Sequence, residues 1–420
     1  MPAFLRPLLL AALAALSGCA TAPAPPPVPA PVAATAAPAA RPPLLLISID
    51  GLRPADLAHA PTLRWLADTG VRAQWMNPSY PSLTFPNHYT IVTGLRPDHH
   101  GIVNNTMRDP ALGGFSLTNR AAVADGRWWG GEPIWVGAHK AGLRTATMFW
   151  PGSEAEIAGV RPDEWHAFDA TITPTQRVDR VLGWFDRPPA QRPALMTLYF
   201  DQVDHAGHDD GPDAPAVRAA IAEVDAALAR LVDGLRRRGV LEATNIVVVS
   251  DHGMAQVADG HVLAIEDIAP PDLAEAVTTG QVLGFAPRPG RTAAAEARLL
   301  GRHAHYQCWR KGELPARWHY GTHPRIPPIV CQMDEGWDAL PRAWIARREP
   351  GTRGSHGFDP ALPSMHATFV AHGPAFRPGT VLPPFDNVDV YPLLADLLGI
   401  PAAANDGDLA PLRPALRDAR

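Results

Sequence analysis

Short apolar runs alternate along the chain with longer segments in which apolar residues recur every three or four positions. The runs have the length of strands, whereas the longer segments have helical periodicity. The clearest predicted strands are Leu44–Ile49, 145–149, Leu195–Phe200, 245–250 and 366–371. Their alternation with helices predicts an α/β fold with a mostly parallel central sheet flanked by helices.

Helical periodicity is strongest over residues 217–238. Further helices are predicted over Pro61–Thr69, over Thr84–Thr93 and over 388–398, the last of which ends at Gly399. A helix that begins near Thr84 would direct backbone N–H groups towards an anion bound there. Four of the five predicted strands run into or closely follow a segment rich in Asp and His. Because ligands bind beyond the carboxyl ends of strands in open α/β sheets, this placement indicates one shared site.

The length of 420 residues is compatible with one large α/β core that carries an insertion. The predicted core comprises residues 44–286 and 351–400. Residues 287–350 are rich in aromatic, His and Pro residues and are interpreted as an inserted cap that forms a lid or wall beside the site. The alternative is that this insertion only shields a sheet edge. Residues 401–420 form a polar, Ala/Pro-rich tail that is expected to be loose.

The net charge is −5, and there is no basic block of the kind that follows a phosphate backbone. A nucleic-acid-binding module is therefore excluded as the main function class. Affinity for phosphate must come from a local site.

The first 18 residues predict a signal peptide. Arg6 is the early charge, and the apolar run at 8–16 is shorter than the roughly 20 residues that span a bilayer. Residues 16–19 resemble a bacterial lipoprotein cleavage box, which makes Cys19 the predicted lipidated residue; an ordinary signal peptide with an incidental Cys19 is the alternative. By the same resemblance, Ala20 rather than Asp after Cys19 implies sorting to the outer membrane. Residues 19–43 are predicted to form an Ala/Pro-rich spacer between a lipid anchor on the periplasmic side and the catalytic core.

Two further cysteines, Cys308 and Cys331, lie in the predicted insertion. If Cys19 is lipidated, they form an even pair in an exported protein, and a disulfide is expected in an oxidising compartment. Two free buried thiols are the alternative.

Six Asp and His side chains follow strand ends or glycines that permit sharp turns. They are Asp50, Asp204, His208, Asp251, His252 and His356. Carboxylate and imidazole ligands suit zinc, and six are too many for one tetrahedral ion. They suit two Zn²⁺ ions at the separation of ~4 Å that is used for phosphoryl displacement. For Asp50 alone, a helix cap is the alternative role.

The motifs around these residues resemble those of the nucleotide pyrophosphatase/phosphodiesterase family in the alkaline-phosphatase superfamily. They are Ile-Asp-Gly-Leu-Arg at 49–53, Thr-Phe-Pro-Asn-His-Tyr at 84–89 and Gly-Ile-Val-Asn-Asn at 101–105, followed by the later Asp and His segments in the same order. The resemblance extends from residue 44 to residue 398, so the N-terminal segment and the tail lie outside it.

This resemblance implies a division of the ligands and a mechanism. One zinc ion would be bound by Asp204, His208 and His356. The other would be bound by Asp50, Asp251 and His252, with the Thr84 oxygen beside it. Zinc would lower the pKa of the Thr84 hydroxyl, whose attack on phosphorus would form a phosphothreonine intermediate. Asn105 would donate a hydrogen bond to a phosphate oxygen. Read without the resemblance, Thr84 is equally an N-cap and Asn105 equally a turn residue.

The family's nucleotide-binding members also imply that the rings of Phe85 and Tyr199 hold a base, although both rings could simply belong to the core. Trp165 and Phe168 are weaker candidates for the same slot. The predicted activity is hydrolysis of nucleotide phosphodiesters or pyrophosphates, such as ATP, to nucleoside 5′-monophosphates. The alternatives are a phospholipid-headgroup, phosphonate or phosphomonoester hydrolase on the same metal site, and a non-catalytic envelope binding protein. A Gly-x-Ser-x-Gly turn is absent, which argues against a serine hydrolase.

Overall fold

A computed structural model of the protein describes residues 41–417. The predicted signal peptide, Cys19 and the spacer up to residue 40 lie outside the described residues, as do the last three residues of the tail. In chain order the strands are β1 (Leu44–Ile49), β2 (Val71–Ala73), β3 (Met76–Asn77), β4 (Thr106–Asp109), β5 (Gly113–Ser116), β6 (Thr145–Met148), β7 (Glu164–Trp165), β8 (Leu195–Phe200), β9 (Asn245–Val249), β10 (Ala255–Val257), β11 (Val262–Ala264), β12 (Ala274–Thr278), β13 (Val282–Pro287), β14 (Gly301–Arg302), β15 (Tyr306–Arg310), β16 (Ile329–Met333), β17 (Asp338–Leu340), β18 (Arg353–Ser355), β19 (Phe369–His372), β20 (Thr380–Leu382) and β21 (Phe385–Asp386). The α-helices are α1 (Pro61–Thr69), α2 (Thr84–Thr93), α3 (Pro97–His100), α4 (Arg120–Val123), α5 (Ile134–Lys140), α6 (Pro174–Phe185), α7 (Gln202–Asp210), α8 (Pro215–Arg237), α9 (Ile265–Ile268), α10 (Thr292–Leu299), α11 (Arg342–Ile345) and α12 (Val390–Leu398).

The central sheet has eight strands in the order β20-β2-β19-β9-β1-β8-β6-β7. Strand β1 pairs in parallel with β8 and β9, and β6 pairs in parallel with β8 and β7. Strand β19 is antiparallel to both of its neighbours, β9 and β2. The predicted α/β fold with a mostly parallel sheet is therefore confirmed. The predicted strand at 366–371 begins three residues later, at Phe369, and runs against the others.

Helices cover both faces of this sheet because alternate residues of its strands point to opposite sides. In β1, Leu44 and Leu46 belong to one apolar core, which also contains residues of α2, α5 and α12. Leu45, Ile47 and Ile49 belong to the other core, which contains residues of α1, α6 and α8. All six residues of β1 are buried, and the continuous apolar run in the sequence follows from burial on both faces.

The helix ends follow local sequence signals. Helix α2 ends at Gly94 and α12 at Gly399, and both glycines adopt the left-handed conformation that non-glycine residues disfavour. Helix α8 begins two residues before the prediction because Pro215 occupies its first turn, where a missing N–H costs no hydrogen bond. Within the described part of the chain, no helix has the length and hydropathy needed to cross a bilayer.

A second, five-stranded sheet in the order β12-β13-β16-β15-β14 forms the inserted layer. Its first strand, β12, lies before the predicted insertion and β13 ends at residue 287, so this sheet begins earlier in the chain than the predicted insertion. Strands β15 and β16 are antiparallel, and Cys308 lies opposite Cys331. The two cysteines form the predicted disulfide.

The C-terminal segment is not loose, contrary to the prediction. Leu412 and Ala415 are buried in the larger apolar core, and Leu416 forms a β-bridge with Phe376. The Asp406 carboxylate accepts hydrogen bonds from the backbone N–H of Arg96 and from the His99 ring. Sparse apolar residues such as Leu412 are therefore enough to anchor this Ala/Pro-rich segment, which composition alone did not indicate.

Candidate active site

The candidate ligands converge at one edge of the central sheet. Asp50 follows β1, Asp204 and His208 lie on α7 after β8, and Asp251 and His252 follow β9. Strands β1, β8 and β9 are parallel neighbours, so their carboxyl ends lie side by side.

Thr84 is the first residue of α2 and is 9% exposed. The N-cap of this helix is Leu83, so Thr84 does not have the capping role considered from the sequence. Its hydroxyl oxygen lies 3.3 Å from Nε2 of His252. The start of α2 has fewer free N–H groups than expected. The N–H of Phe85 already donates to Asn105, and Pro86 has no N–H.

The first ligand group comprises Asp204, His208 and His356. Nε2 of His208 lies 3.4 Å from Oδ2 of Asp204 and 3.0 Å from Nε2 of His356. Nε2 of His356 lies 3.6 Å from Oδ1 of Asp204. The three side chains come from segments about 150 residues apart in the chain, and the contact between α7 and β18 brings them together.

The second ligand group comprises Asp50, Asp251 and His252. Nε2 of His252 lies 2.9 Å from Oδ2 of Asp251 and 3.6 Å from Oδ1 of Asp50. The His252 ring also stacks on the His356 ring at a centroid distance of 3.6 Å, so the two groups are adjacent. Ligand atoms of Asp204, His252 and His356 lie within 4.8 Å of one another, which places His252 between the groups.

His88 was not anticipated from the sequence. It is fully buried, its Nδ1 lies 3.3 Å from Oδ2 of Asp251, and ligand atoms of Asp50, His88 and Asp251 lie within 4.8 Å of one another. The same Nδ1 lies 2.9 Å from the carbonyl oxygen of Thr84. The sequence did offer one signal, which is the spacing of His88 from Thr84. His88 lies four residues after Thr84, and residues four apart on a helix share a face.

Backbone carbonyls orient all three predicted histidine ligands. Nδ1 of His208 lies 2.9 Å from the oxygen of Gly354, and Nδ1 of His356 lies 2.9 Å from the oxygen of Ser82. Nδ1 of His252 lies 2.9 Å from the oxygen of Gly253. A neutral imidazole that donates its Nδ1 hydrogen to a carbonyl keeps an unprotonated Nε2, which is the form that binds metal.

The electrostatics of the cluster fit a cation. Burial and the charges of Asp251 and Asp204 raise the pKa of Asp50 well above its ordinary value. Burial also disfavours ionisation of Asp251, but His252 and His88 hold the pKa of Asp251 well below its usual range. Oδ1 of Asp50 and Oδ1 of Asp204 are buried without a hydrogen-bond partner among the described residues. Unpaired carboxylate oxygens in this setting are costly, so the donor set fits divalent metal ions.

Asn105 and Thr84 both line a cavity next to the metal ligands. Its Oδ1 accepts a hydrogen bond of 3.0 Å from the backbone N–H of Phe85. Because Oδ1 is fixed in this way, the Nδ2 hydrogens of Asn105 remain for another acceptor. The alternative role as a simple turn residue does not account for this bond to the helix that carries Thr84.

The cavity next to the metal ligands has a volume of about 550 Å³ and mostly apolar walls. Phe85 and Tyr199 both line it, as the sequence suggested, and the Tyr199 hydroxyl donates a 2.6 Å hydrogen bond to Oδ2 of Asp50. Phe168 also lines the cavity, whereas Trp165 does not. The remaining walls were not anticipated; they include Leu117, Arg120, Val123, Phe149, Trp150 and Glu154.

Residues 287–350 contribute no side chain to this cavity among the described residues that line it. The lining of the cavity therefore gives no support to the expected role of the insertion as a lid or wall. The insertion packs behind the loop that carries Thr84, where Trp318 stacks on Tyr80 at a centroid distance of 4.1 Å.

The comparisons with known proteins agree on one family. The sequence matches a family model described as type I phosphodiesterase/nucleotide pyrophosphatase over residues 44–359. Ectonucleotide pyrophosphatase/phosphodiesterase family member 3 of Rattus norvegicus is 34% identical over 399 residues, which is 90% of this chain and 44% of the relative. An uncharacterized pyrophosphatase/phosphodiesterase of Schizosaccharomyces pombe is 36% identical over 385 residues, which is 87% of this chain and 78% of the relative. The chain thus spans less than half of the rat relative.

Solved structures give the same result. Murine ectonucleotide pyrophosphatase/phosphodiesterase 5, as an inactive threonine-to-alanine variant in complex with AMP, superposes with a TM-score of 0.84 and 32% sequence identity. The match covers 89% of this chain and 100% of the murine chain. The human counterpart also has a TM-score of 0.84, with 31% identity.

Proposed function

The chain belongs to the type I phosphodiesterase/nucleotide pyrophosphatase family, and from this premise we propose that it hydrolyses nucleotide phosphodiesters or pyrophosphates, such as ATP, to nucleoside 5′-monophosphates. The observation that carries the proposal is the position of Thr84. Its hydroxyl lies at the junction of two Asp/His groups and at the wall of an aromatic cavity. A hydroxyl, a metal-ligand cluster and a slot for a planar group are the three parts that this reaction requires.

Two Zn²⁺ ions are the proposed cofactors. Asp204, His208 and His356 would hold one ion, and Asp50, Asp251 and His252 would hold the other. When bound, zinc supplies positive charge to the phosphate oxygens and lowers the pKa of a hydroxyl beside it. The mixture of imidazole and carboxylate favours zinc over magnesium, which prefers oxygen ligands alone.

Thr84 is the proposed nucleophile. Its Oγ1 forms a bond to phosphorus as the bond from phosphorus to the leaving oxygen breaks, which gives a phosphothreonine. Water then attacks the same phosphorus and releases Thr84 and the nucleoside monophosphate. Because two in-line displacements occur, the configuration at phosphorus is retained overall.

Asn105 is the proposed hydrogen-bond donor to a non-bridging phosphate oxygen. Its Oδ1 is held by the N–H of Phe85, which leaves Nδ2 for the substrate. A donor already in place where charge is redistributed stabilises the transition state without reorganisation.

The nucleotide base is proposed to bind between the rings of Phe85 and Tyr199; the Phe168 ring also lines the cavity, 5.9 Å from the Tyr199 ring. Stacking on an aromatic ring contributes about 1–3 kcal/mol per base. The murine relative described above is in complex with AMP, which supports a nucleotide as the ligand class.

A phosphomonoester would need additional positive charge for its extra negative charge. Among the described residues that line the cavity, Arg120 is the one Arg or Lys, and its guanidinium pairs with Glu154. This pairing favours diesters over monoesters.

We also propose that the protein is exported and held by lipidated Cys19 on the periplasmic side of a bacterial membrane. The Cys308–Cys331 disulfide supports an oxidising compartment.

The test uses residues 42–420 as a soluble form, in the wild type and in the Thr84→Ala variant. Zinc content is counted, and turnover of p-nitrophenyl thymidine 5′-monophosphate is compared with that of p-nitrophenyl phosphate. We expect about two zinc ions per chain in both proteins and loss of diester turnover only in the variant. Equal activity in the variant would remove Thr84 from its role, and a monoester preference would overturn the substrate class.

A further inference from the structure

We infer that the inserted layer positions Asn105 by bracing both sides of the backbone segment that carries it. The brace comprises residues 320–325, which lie between β15 and β16, and the segment that it holds is residues 97–109. The inference rests on the proposed function, because it takes Asn105 as the donor to the substrate. It replaces the expected lid with a support behind the cavity wall.

Asp98 is the first point of attachment. It is 6% exposed, and its carboxylate accepts hydrogen bonds from the backbone N–H groups of Gly321, Thr322 and His323 at 2.9–3.1 Å. The Thr322 hydroxyl donates to the same carboxylate. A buried carboxylate that accepts four hydrogen bonds fixes both partners, because loss of any donor would leave charge unsatisfied.

Arg325 is the second point of attachment. Its Nη1 donates to the carbonyl oxygens of Gly101 at 2.8 Å and Trp128 at 2.6 Å, and its Nε donates to Oδ2 of Asp109 at 2.9 Å. The guanidinium also lies over the Trp128 ring, 4.7 Å from the ring centroid. This side chain is only 9% exposed, so one buried cation bonds residues both before and after Asn105.

Tyr320 completes the brace. Its hydroxyl donates a 2.9 Å hydrogen bond to the carbonyl oxygen of Val103, two residues before Asn105. Its ring meets the edge of Tyr80 at a centroid distance of 5.2 Å, and Tyr80 itself stacks on Trp318. The inserted layer therefore contacts both the loop that leads to Thr84 and the segment that leads to Asn105.

One side-chain hydrogen bond holds Asn105 among the described residues, and it comes from the Phe85 N–H. The position of the side chain therefore also depends on the backbone on either side. That backbone is held at residues 98, 101, 103 and 109 by the brace. A donor displaced by ~1 Å loses much of its effect on the transition state, by about 100-fold in favourable cases. Residues of the brace are thus positioning residues that act through Asn105.

The test compares Tyr320→Phe and Arg325→Gln with Arg302→Gln in the zinc-loaded protein. Tyr320→Phe removes one hydroxyl and keeps the ring, so it remains informative if Arg325→Gln fails to fold. Arg302→Gln is the matched control, because it removes an ion pair with Asp334 in the same layer without contacting residues 97–109. We expect both brace variants to lower kcat, by about 10-fold for Arg325→Gln, with KM within about two-fold, and the control to change neither.

Each brace variant is then combined with Asn105→Ala. If the brace acts through Asn105, its effect on kcat falls below about two-fold in that background. Amide hydrogen exchange of residues 97–109 provides a readout besides activity, and we expect faster exchange in the brace variants but not in the control.

Equal losses of kcat in both backgrounds, or unchanged kcat and exchange in the folded brace variants, would overturn the inference while leaving the proposed function intact. Unchanged kcat in Asn105→Ala alone would instead overturn the proposed role of Asn105, and this inference with it.

Discussion

Tyr199 makes two contacts, and the substitution Tyr199→Phe removes only one of them. Its hydroxyl donates a 2.6 Å hydrogen bond to Asp50, while its ring lines the cavity. We expect Tyr199→Phe to weaken metal binding by about 10- to 100-fold, because partners of metal-binding carboxylates orient them. KM for a nucleotide diester should change little, since the ring remains. Competition with a zinc-binding dye and steady-state kinetics at saturating zinc measure the two effects separately.

Phe85 allows base stacking to be tested without changing the metal ligands. Its ring lines the cavity and lies 6.0 Å from the Phe115 ring and 5.9 Å from the Trp129 ring, and it offers no ligand atom to a metal ion. We expect Phe85→Ala to raise KM for a nucleotide diester by about 5- to 150-fold, the equivalent of 1–3 kcal/mol of stacking, without changing zinc affinity. A rise in KM that is equally large for a substrate without a base, bis-p-nitrophenyl phosphate, would contradict the stacking role.

Residues that directly follow a predicted strand were found from the sequence, whereas His88 was not found and Phe168 was not separated from Trp165. Asp50 and Asp251 follow apolar runs directly, so the rule that ligands bind at strand ends brought them to one place. Phe168 lies in an irregular segment after β7, and nothing in its neighbourhood distinguishes it from Trp165. The two residues differ in that Phe168 lines the cavity and Trp165 does not, and hydrophobic periodicity does not predict where an irregular segment lies.

At the scale of elements, the contact between α3 and the brace predicts a dependence of stability on pH. Burial alone would raise the pKa of Asp98, but hydrogen bonds from Thr322, His323 and Gly321 lower the pKa of this carboxyl. A lowered pKa in the folded state adds stability above the unfolded-state value of about 3.9, and this stability is lost as pH falls through the folded-state value.

We therefore expect Asp98→Asn to reduce the free energy of unfolding at pH 7 by about 1–2 kcal/mol, and by less at pH 3. Urea unfolding at both pH values measures the difference, with the exposed Asp259→Asn as control. A deficit that stays constant between pH 7 and pH 3 would show that the pKa of Asp98 is the same in the folded and unfolded states, so that the brace does not stabilise its charge.

The disulfide belongs to the same scale, because it joins neighbouring strands of the inserted layer. Cys308 and Cys331 are 23 residues apart, and a crosslink that closes a loop of this length contributes about 3 kcal/mol. We expect the Cys308→Ser/Cys331→Ser variant to have a lower Tm than the wild type. A reductant should lower the Tm of the wild type but not of the variant; the same shift in both would exclude the disulfide as the cause.

At the scale of the whole molecule, the central sheet was predictable because its strands are continuous apolar runs buried on both faces. The contacts of the inserted layer were not predictable, because they include bonds such as those between Asp98 and residues 321–323, more than 220 positions apart. Composition distinguished residues 287–350 from the core but did not indicate which residues they contact. The C-terminal segment was misjudged for the same reason, since a few buried residues anchor it.

Metal removal tests how the whole domain depends on its site. Asp50, Asp204 and Asp251 are buried together, and without a cation their mutual repulsion opposes folding. We expect chelation to lower the Tm and added zinc to restore it, because a ligand at 100 times its Kd stabilises the folded state by about 2.7 kcal/mol per site.

Asp204→Asn should remove about one zinc per chain and reduce the response of the Tm to zinc, whereas Thr84→Ala should retain this response. Since the ligands follow β1, β8 and β9, the loss should appear as one cooperative shift of the central sheet. A chelated protein that holds no zinc but keeps the Tm of the loaded form would show that the cluster is satisfied without metal.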